Sequence, residues 1–267
     1  MKTMRAGAIV LVAVVALASI VGGLLPRFDY ARQDRDTISA PASAQHWLGT
    51  DELGRDRFSR LLHGTRVSLL LAPAAAALSL LLALLIGAAP GWIGGFSERA
   101  ARIVIDLFLS VPWLFLLLMV RAMLPLNTAP LVSAVVTFVV LGALGWAAPG
   151  RILQARASRL RQSQFVLLGR AAGISRWRLL HKHVVPNLRP VLLAQFWISV
   201  PVFILAEANL SLLGLGVAEP LPSLGSLLRE LESVLSLGGG VYRFAALIVL
   251  IVVVSSLQIA VSQQEAC

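Results

Sequence analysis

From Arg151 to Pro190 the chain carries nine lysines and arginines and not one acidic residue, and long apolar runs stand on both sides. Short loops rich in Arg and Lys between apolar spans stay on the cytoplasmic side of a membrane. Such a chain is confined to structures that satisfy their own backbone within a bilayer, and apolar runs of about twenty residues satisfy it as helices. Composition agrees: 13% of residues are charged, where ordinary globular domains carry about 25%. The net charge of +10 lies almost wholly in the one loop. In a soluble chain it would suggest a solvated face or a nucleic-acid patch. Only Phe165 and Trp177 offer aromatic platforms there, so no nucleic acid is expected as partner. The one cysteine, Cys267, excludes an internal disulfide and a cysteine metal cage.

Six spans follow from the apolar runs, giving an all-α membrane protein. Ala6–Leu25, behind Lys2 and Arg5, reads as the first span rather than a signal peptide, being too long for a usual apolar core and lacking a small-residue cleavage site before Pro26. Residues 1–26 form that N-terminal unit. Residues 27–66, with seven arginines and six acids, form a nearly neutral external loop. Within it Thr50 or Asp51 is placed to cap a short interfacial helix reaching about His63, with Asp56 and Arg60 at a favourable i,i+4 spacing. Residues 67–267 hold the other five spans: Val67–Ala89, interrupted at Pro73; Ile103–Val120, with Asp106 near one end and Pro112 in its middle; Leu131–Ala148; Val191–Ala206, containing Pro201; and Phe244–Ala260. Pro90–Gly95 reads as a turn, and Leu124–Pro130 as another. Both termini and the loop 151–190 then lie in the cytoplasm of a multi-pass protein of the plasma membrane.

The basic loop has an inner pattern. Phe165–Ala172 and Arg176–Val185 are helical runs separated by Gly173, with Ser175 placed to cap the second and Pro186 to end it. A helix–glycine–helix knuckle suits contact with another protein. The chain has only Lys2 and Lys182, neither in a G-x-x-x-x-G-K-[ST] frame, so it is no P-loop NTPase. Asp106 and Glu207 are the carboxylates nearest to a proton relay, and both lie at span ends, where a cap or an Arg partner is the commoner role. His181 and His183 fall on different helix faces, which disfavours a joint metal site. No Ser/His/Asp set gathers on one membrane face.

The segment FVLLGRAAGISRWRLLHKHVVPN resembles the cytoplasmic "EAA" loop of ABC-importer permeases, with matching positions at Gly173, Ser175, His183, Pro186 and Asn187. HWLGTDELGRDRFSRLLHGTRVSLL, GWIGGF with Asp106 and Pro112, and EANLSLLGLGVAEPLPSLGSLL are similar to signatures of the second permease subunit of dipeptide, oligopeptide and nickel importers. Three signatures in order cover Gln45 to Leu228. The resemblance implies the type I ABC-importer permease fold, with six transmembrane helices, and no enzyme activity in this chain. ATP and Mg would sit on one or two ATP-binding subunits. Further implied partners are a sister permease, an extracytoplasmic substrate-binding protein and the lipid bilayer of a bacterial inner membrane. The coupling residues it implies are Phe165, Val166, Leu167, Leu168, Gly169, Arg170, Ala171, Ala172, Gly173, Ser175, Arg176, His183, Pro186 and Asn187, with Arg178 a further candidate for pairing. Asp106, Pro112, Glu207 and Asn209 are candidates for gate or path. Two departures stand out: Leu167-Leu168-Gly169 replaces the Glu-Ala-Ala, and Gly238-Gly239-Gly240 with the tail to Cys267 replaces the usual ending. The expected cargo is short peptides, with nickel or a chelated solute as alternative. An ion-coupled carrier or channel without ATPase is the reading from another class.

Overall fold

A computed structural model of the chain describes residues 2–22, 29–123, 128–235 and 244–262. Helices dominate it, and the extended contacts among the described residues are two isolated bridges, Gln33 with Arg55 and Thr50 with Asp56. The elements are α1 (Lys2–Gly22), α2 (Arg57–Leu82), α3 (Ala89–Ile93), α4 (Phe96–Ser110), α5 (Trp113–Met123), α6 (Pro130–Leu144), α7 (Ala147–Arg161), α8 (Gln164–Ala171), α9 (Arg176–Leu179), α10 (Val185–Leu212), α11 (Leu224–Leu235) and α12 (Ala245–Ser262). Turns of π-helix, Ala83–Ala88 and Leu180–Val184, join α2 to α3 and α9 to α10. Among the described residues three continuous stretches are long and apolar enough to cross a membrane: Arg57–Ile93, Pro130–Arg161 and Arg176–Leu212. α4 and α5 qualify together as one segment bent by 82°, and α1 and α12 hold the shorter apolar stretches Ala6–Gly22 and Ala245–Ala260.

The first correction concerns the start of the second span. No separate helix forms from residue 50 to 63; α2 begins at Arg57 and runs on. Its cap is Asp56, whose carboxylate accepts the Ser59 N–H at 2.7 Å and the Ser59 hydroxyl at 2.6 Å. Asp51 is occupied instead in a turn, accepting the N–H groups of Leu53 and Arg55 at 2.9 and 2.8 Å. Asp56 meets His46 at 3.0 Å rather than Arg60.

Prolines account for the other differences. Pro73 lies inside α2 without ending it. Pro90 opens α3, and the chain turns only at Gly94 and Gly95, with φ of +83° and +64°. Pro112 breaks the third segment outright, with Val111 extended before it as a pre-proline residue prefers. Pro186, expected to end a helix, lies in the first turn of α10 instead. The π turn before it shifts the bonding register, with the Val185 N–H reaching the Leu180 carbonyl, and the Asn187 amide covers the His183 carbonyl at 2.6 Å. The fifth helical stretch therefore begins at Arg176, fifteen residues earlier than the apolar run. Residues Gly23–Leu25 of the first expected span, Leu124–Asn127 of the expected turn, Gly238–Gly240 and the tail with Cys267 lie outside the described residues.

Small residues let the helices meet. A Cβ on Gly142 of α6 would stand 2.6 Å from the Ala75 carbonyl oxygen of α2, and one on Gly91 would stand 2.6 Å from the Gln154 carbonyl of α7. Around these crossings one apolar cluster joins α2, α6, α10 and α12 through Ala75, Phe138, Phe203 and Val253. A second joins the π turn at Ala83 to Trp146, Leu153 and Val184. Gly142→Val should therefore overpack the α2–α6 crossing and cost about 1–3 kcal/mol. Thermal unfolding in detergent should show a lower Tm for it, against no change for Gly7→Ala, whose position has nothing within 4 Å.

Candidate functional site

The knuckle is built from local chemistry. α8 ends in a Schellman motif, with the Ile174 N–H on the Gly169 carbonyl at 2.9 Å and the Gly173 N–H on the Arg170 carbonyl at 3.0 Å. Gly173 takes φ +76°, a region that costs a side-chain-bearing residue. The Ser175 hydroxyl then accepts the Arg178 N–H at 3.4 Å and starts α9. Val166 and Gly169 face inward; a Cβ on Gly169 would lie 2.6 Å from Leu179 Cδ2, so the glycine lets α8 seat on α9. Phe165, Leu167, Leu168 and Trp177 point outward, the last two 70% exposed. Ala171, Ala172, Gly173, Arg176, Arg178, Pro186 and Asn187 are also exposed. Phe165 lies 5.8 Å from the His183 ring, and Trp177 packs edge-on against His181 at 4.3 Å. The Arg170 guanidinium sits 5.4 Å over Trp92 of α3, a cation–π contact that ties the knuckle to the bundle.

Among the described residues two loop arginines meet acids. Arg161 meets Glu98 at 2.8 Å, and Gln154 donates to the Glu98 carbonyl at 2.8 Å. Arg151 pairs with Asp106, both half-exposed. Asp106 is thus the partner of a loop arginine. Arg176 and Arg178 join no ion pair among the described residues.

Residues 51–60 and 219–230 meet at the other end of the bundle. Arg57–Ile93 separates the ends, since 37 helical residues extend roughly 55 Å. Arg55 meets Asp51 at 2.6 Å and Glu219 at 2.8 Å. Arg60, fully buried, pairs with Glu230 and stands 3.7 Å from Asp51 and 3.9 Å from Glu219. Burial works against the charge on Arg55, yet its bonds to Glu219 and Asp51 hold the guanidinium pKa above its ordinary value. Burial pushes the Glu230 carboxyl above the usual carboxylate range, against the pull of Arg60. Beside this cluster Glu207, 0% exposed, accepts the hydroxyls of Ser211 and Ser223 at 2.6 and 2.7 Å and the Gly225 N–H at 3.3 Å. It lies inside α10, not at a water-facing helix end, and it holds the first turn of α11. Arg121, also buried, donates to the Ser133 hydroxyl at 3.1 Å and the Gly216 carbonyl at 3.2 Å.

The four gate or path candidates do not gather into one site: Asp106 joins Arg151, Pro112 marks the helix break, Glu207 holds α11 and Asn209 is exposed. Sequence reasoning missed the cluster of Arg55, Arg60, Glu219 and Glu230, whose arginine and glutamate halves lie more than 150 residues apart. The available signal was Arg60 at the head of an apolar helix, since such a charge needs a partner. Among the described residues no group of three or more His, Cys, Asp or Glu is placed to hold a metal.

The family described as "binding-protein-dependent transport system inner membrane component" matches residues 74–264. An oligopeptide transport system permease protein of Bacillus subtilis is 33% identical over 86% of this chain and 73% of its own length. A dipeptide transport system permease protein of the same organism is 30% identical over 88% and 72%. A glutathione transport system permease protein of Pectobacterium atrosepticum is 32% identical over 83% and 72%.

Removing the fully buried Arg60 takes a cation away from Asp51 and Glu230. Arg60→Met should cost about 3–5 kcal/mol. Adding Glu230→Gln to Arg60→Met should recover part of that loss, a coupling that unfolding midpoints of the two single variants and the double variant would measure.

Proposed function

The chain belongs to the binding-protein-dependent transport system inner membrane components, and from that premise we propose that it forms half of the path of an ATP-driven peptide importer. A sister permease supplies the other half, and separate ATP-binding subunits supply the work. An extracytoplasmic binding protein delivers the cargo, and the knuckle faces the cytoplasm. Peptide is favoured over nickel because the three relatives above carry oligopeptide, dipeptide and glutathione in their names.

The observation that carries the coupling role is the surface of the knuckle. Phe165, Leu167, Leu168 and Trp177 are exposed on a loop whose charges are all basic, and Arg176 and Arg178 stand free for acids on a partner. α8 is the part that seats in a groove on an ATP-binding subunit. The opening Glu-Ala-Ala of the loop is absent, so apolar contact and arginine pairing carry the seat. Movement of α8 passes into one continuous helical stretch, Arg176–Leu212, which reaches Glu207 and through Ser223 and Gly225 the first turn of α11. A rod of roughly 55 Å so joins the knuckle to the segment that closes the far end. A carrier independent of ATPase has less support: among the described residues Asp106 is held by Arg151, and Glu207 by hydroxyls and an N–H, and neither is placed against a second acid.

Gly173→Pro tests this reading, because proline cannot take the positive φ found there. In the assembly reconstituted in proteoliposomes, ATP hydrolysis should persist while peptide uptake falls about ten-fold or more, the scale of ordinary coupling between sites. Deletion of residues 165–172 should abolish uptake, and uptake surviving that deletion would remove the lever from the account.

A further inference from the structure

The break at Pro112 borders a cleft that the coupling role leaves unused. α4 ends at Ser110, Val111 is extended, and α5 leaves at 82°. Irregular backbone inside an apolar segment is tolerated where protein covers it or a cavity lies beside it. Here a cleft of about 340 Å³ lies between the break, the α6–α7 junction and α10. Phe108, Trp113 and Phe203 give it aromatic walls, and Ala148 lines it with its side chain exposed. None of its lining residues is charged. Gln195 of α10, half-buried in the lining, has a side-chain amide that enters no hydrogen bond among the described residues. The neighbouring Ser199 hydroxyl is already committed to the Gln195 backbone carbonyl at 2.8 Å.

We propose that this cleft is a transit subsite that takes one apolar side chain of the peptide cargo, while the Gln195 amide pairs with the adjoining peptide group. The proposal rests on the peptide-import reading above and adds a selectivity to it. Its volume falls within the range of ligand pockets, roughly 300–1,000 Å³. An uncharged lining cannot compensate the ammonium or carboxylate of a peptide terminus, and burying either uncompensated is costly. The occupant is therefore a side chain, with the charged ends left in the aqueous path. A carboxamide offers one donor and one acceptor side by side, the complement of one peptide unit.

The test compares uptake of labelled dileucine and diglycine by the complete assembly in proteoliposomes. Ala148→Phe fills the cleft from a position with room for it, and Ala148→Leu fills it less. The ratio of dileucine to diglycine uptake should fall about ten-fold in Ala148→Phe and less in Ala148→Leu, as expected for removing apolar pocket volume. Diglycine uptake in the same variants reports that they fold and assemble. Gln195→Leu should slow both peptides. A ratio unchanged in both Ala148 variants, whether diglycine uptake is kept or falls alongside dileucine, would overturn the subsite. Native protein that carries neither peptide would sink the peptide reading and the subsite with it, whereas native uptake with an insensitive ratio sinks the subsite alone.

Discussion

Helices within a bilayer gain little by hiding apolar surface from lipid, so their association rests on close contact of backbone with backbone. In this chain small residues make that contact at four crossings. Gly142 meets the Ala75 carbonyl, Gly87 meets Gly150, Gly91 meets Gln154, and Gly225 meets Ala208. Three of these crossings hold α2, its π turn and α3 against α6 and α7, so the base of the knuckle is set on a stack of close-packed backbone. Arg161 on Glu98 and Arg170 over Trp92 add polar anchors to the same base. The knuckle is thereby held as a body while its outer face stays bare.

Buried charge organises the other end. Arg55 and Arg60 draw Asp51, Glu219 and Glu230 around them, and this binds the loop before α2 to the segment after α10. Glu207 pins the first turn of α11 from inside α10, where the helix dipole favours a negative group. Both contacts join segments distant in sequence, and both end on α11 or the loop before it. α10 is tied to that region by these contacts, which is the route the proposed coupling would take to the far end.

Local rules read the knuckle well. Gly173, Ser175 and the length of α8 follow from capping and from positive φ, which neighbouring residues decide. Other features were hidden for physical reasons. Thr50 and Asp51 both suit a cap, yet Asp51 is drawn into the turn at Leu53 and Arg55 and Asp56 caps instead, while Arg55 is also held by Glu219, 164 residues on. Pro186 stands in the first turn of α10 because a π turn has already altered the bonding before it. Pro112, by contrast, yields an 82° break, and no π turn precedes it. Glu207 reads as a helix-end carboxylate because its partners Ser223 and Gly225 lie beyond a loop. The helix start at Arg176 was legible from its cap, but Pro186 concealed that this helix runs on without a break to Leu212.

The central claim is that the bare apolar face of the knuckle is the seat of an ATP-binding subunit. A photo-crosslinking residue placed at Leu168, with a second placed at the equally exposed Phe115 of α5, measures it directly in native membranes. The account predicts that position 168 captures an ATP-binding protein in a yield that changes with ATP, and that position 115 captures none. Capture of no nucleotide-binding neighbour at 168, or labelling of 168 by a reagent confined to the outer face, would contradict it.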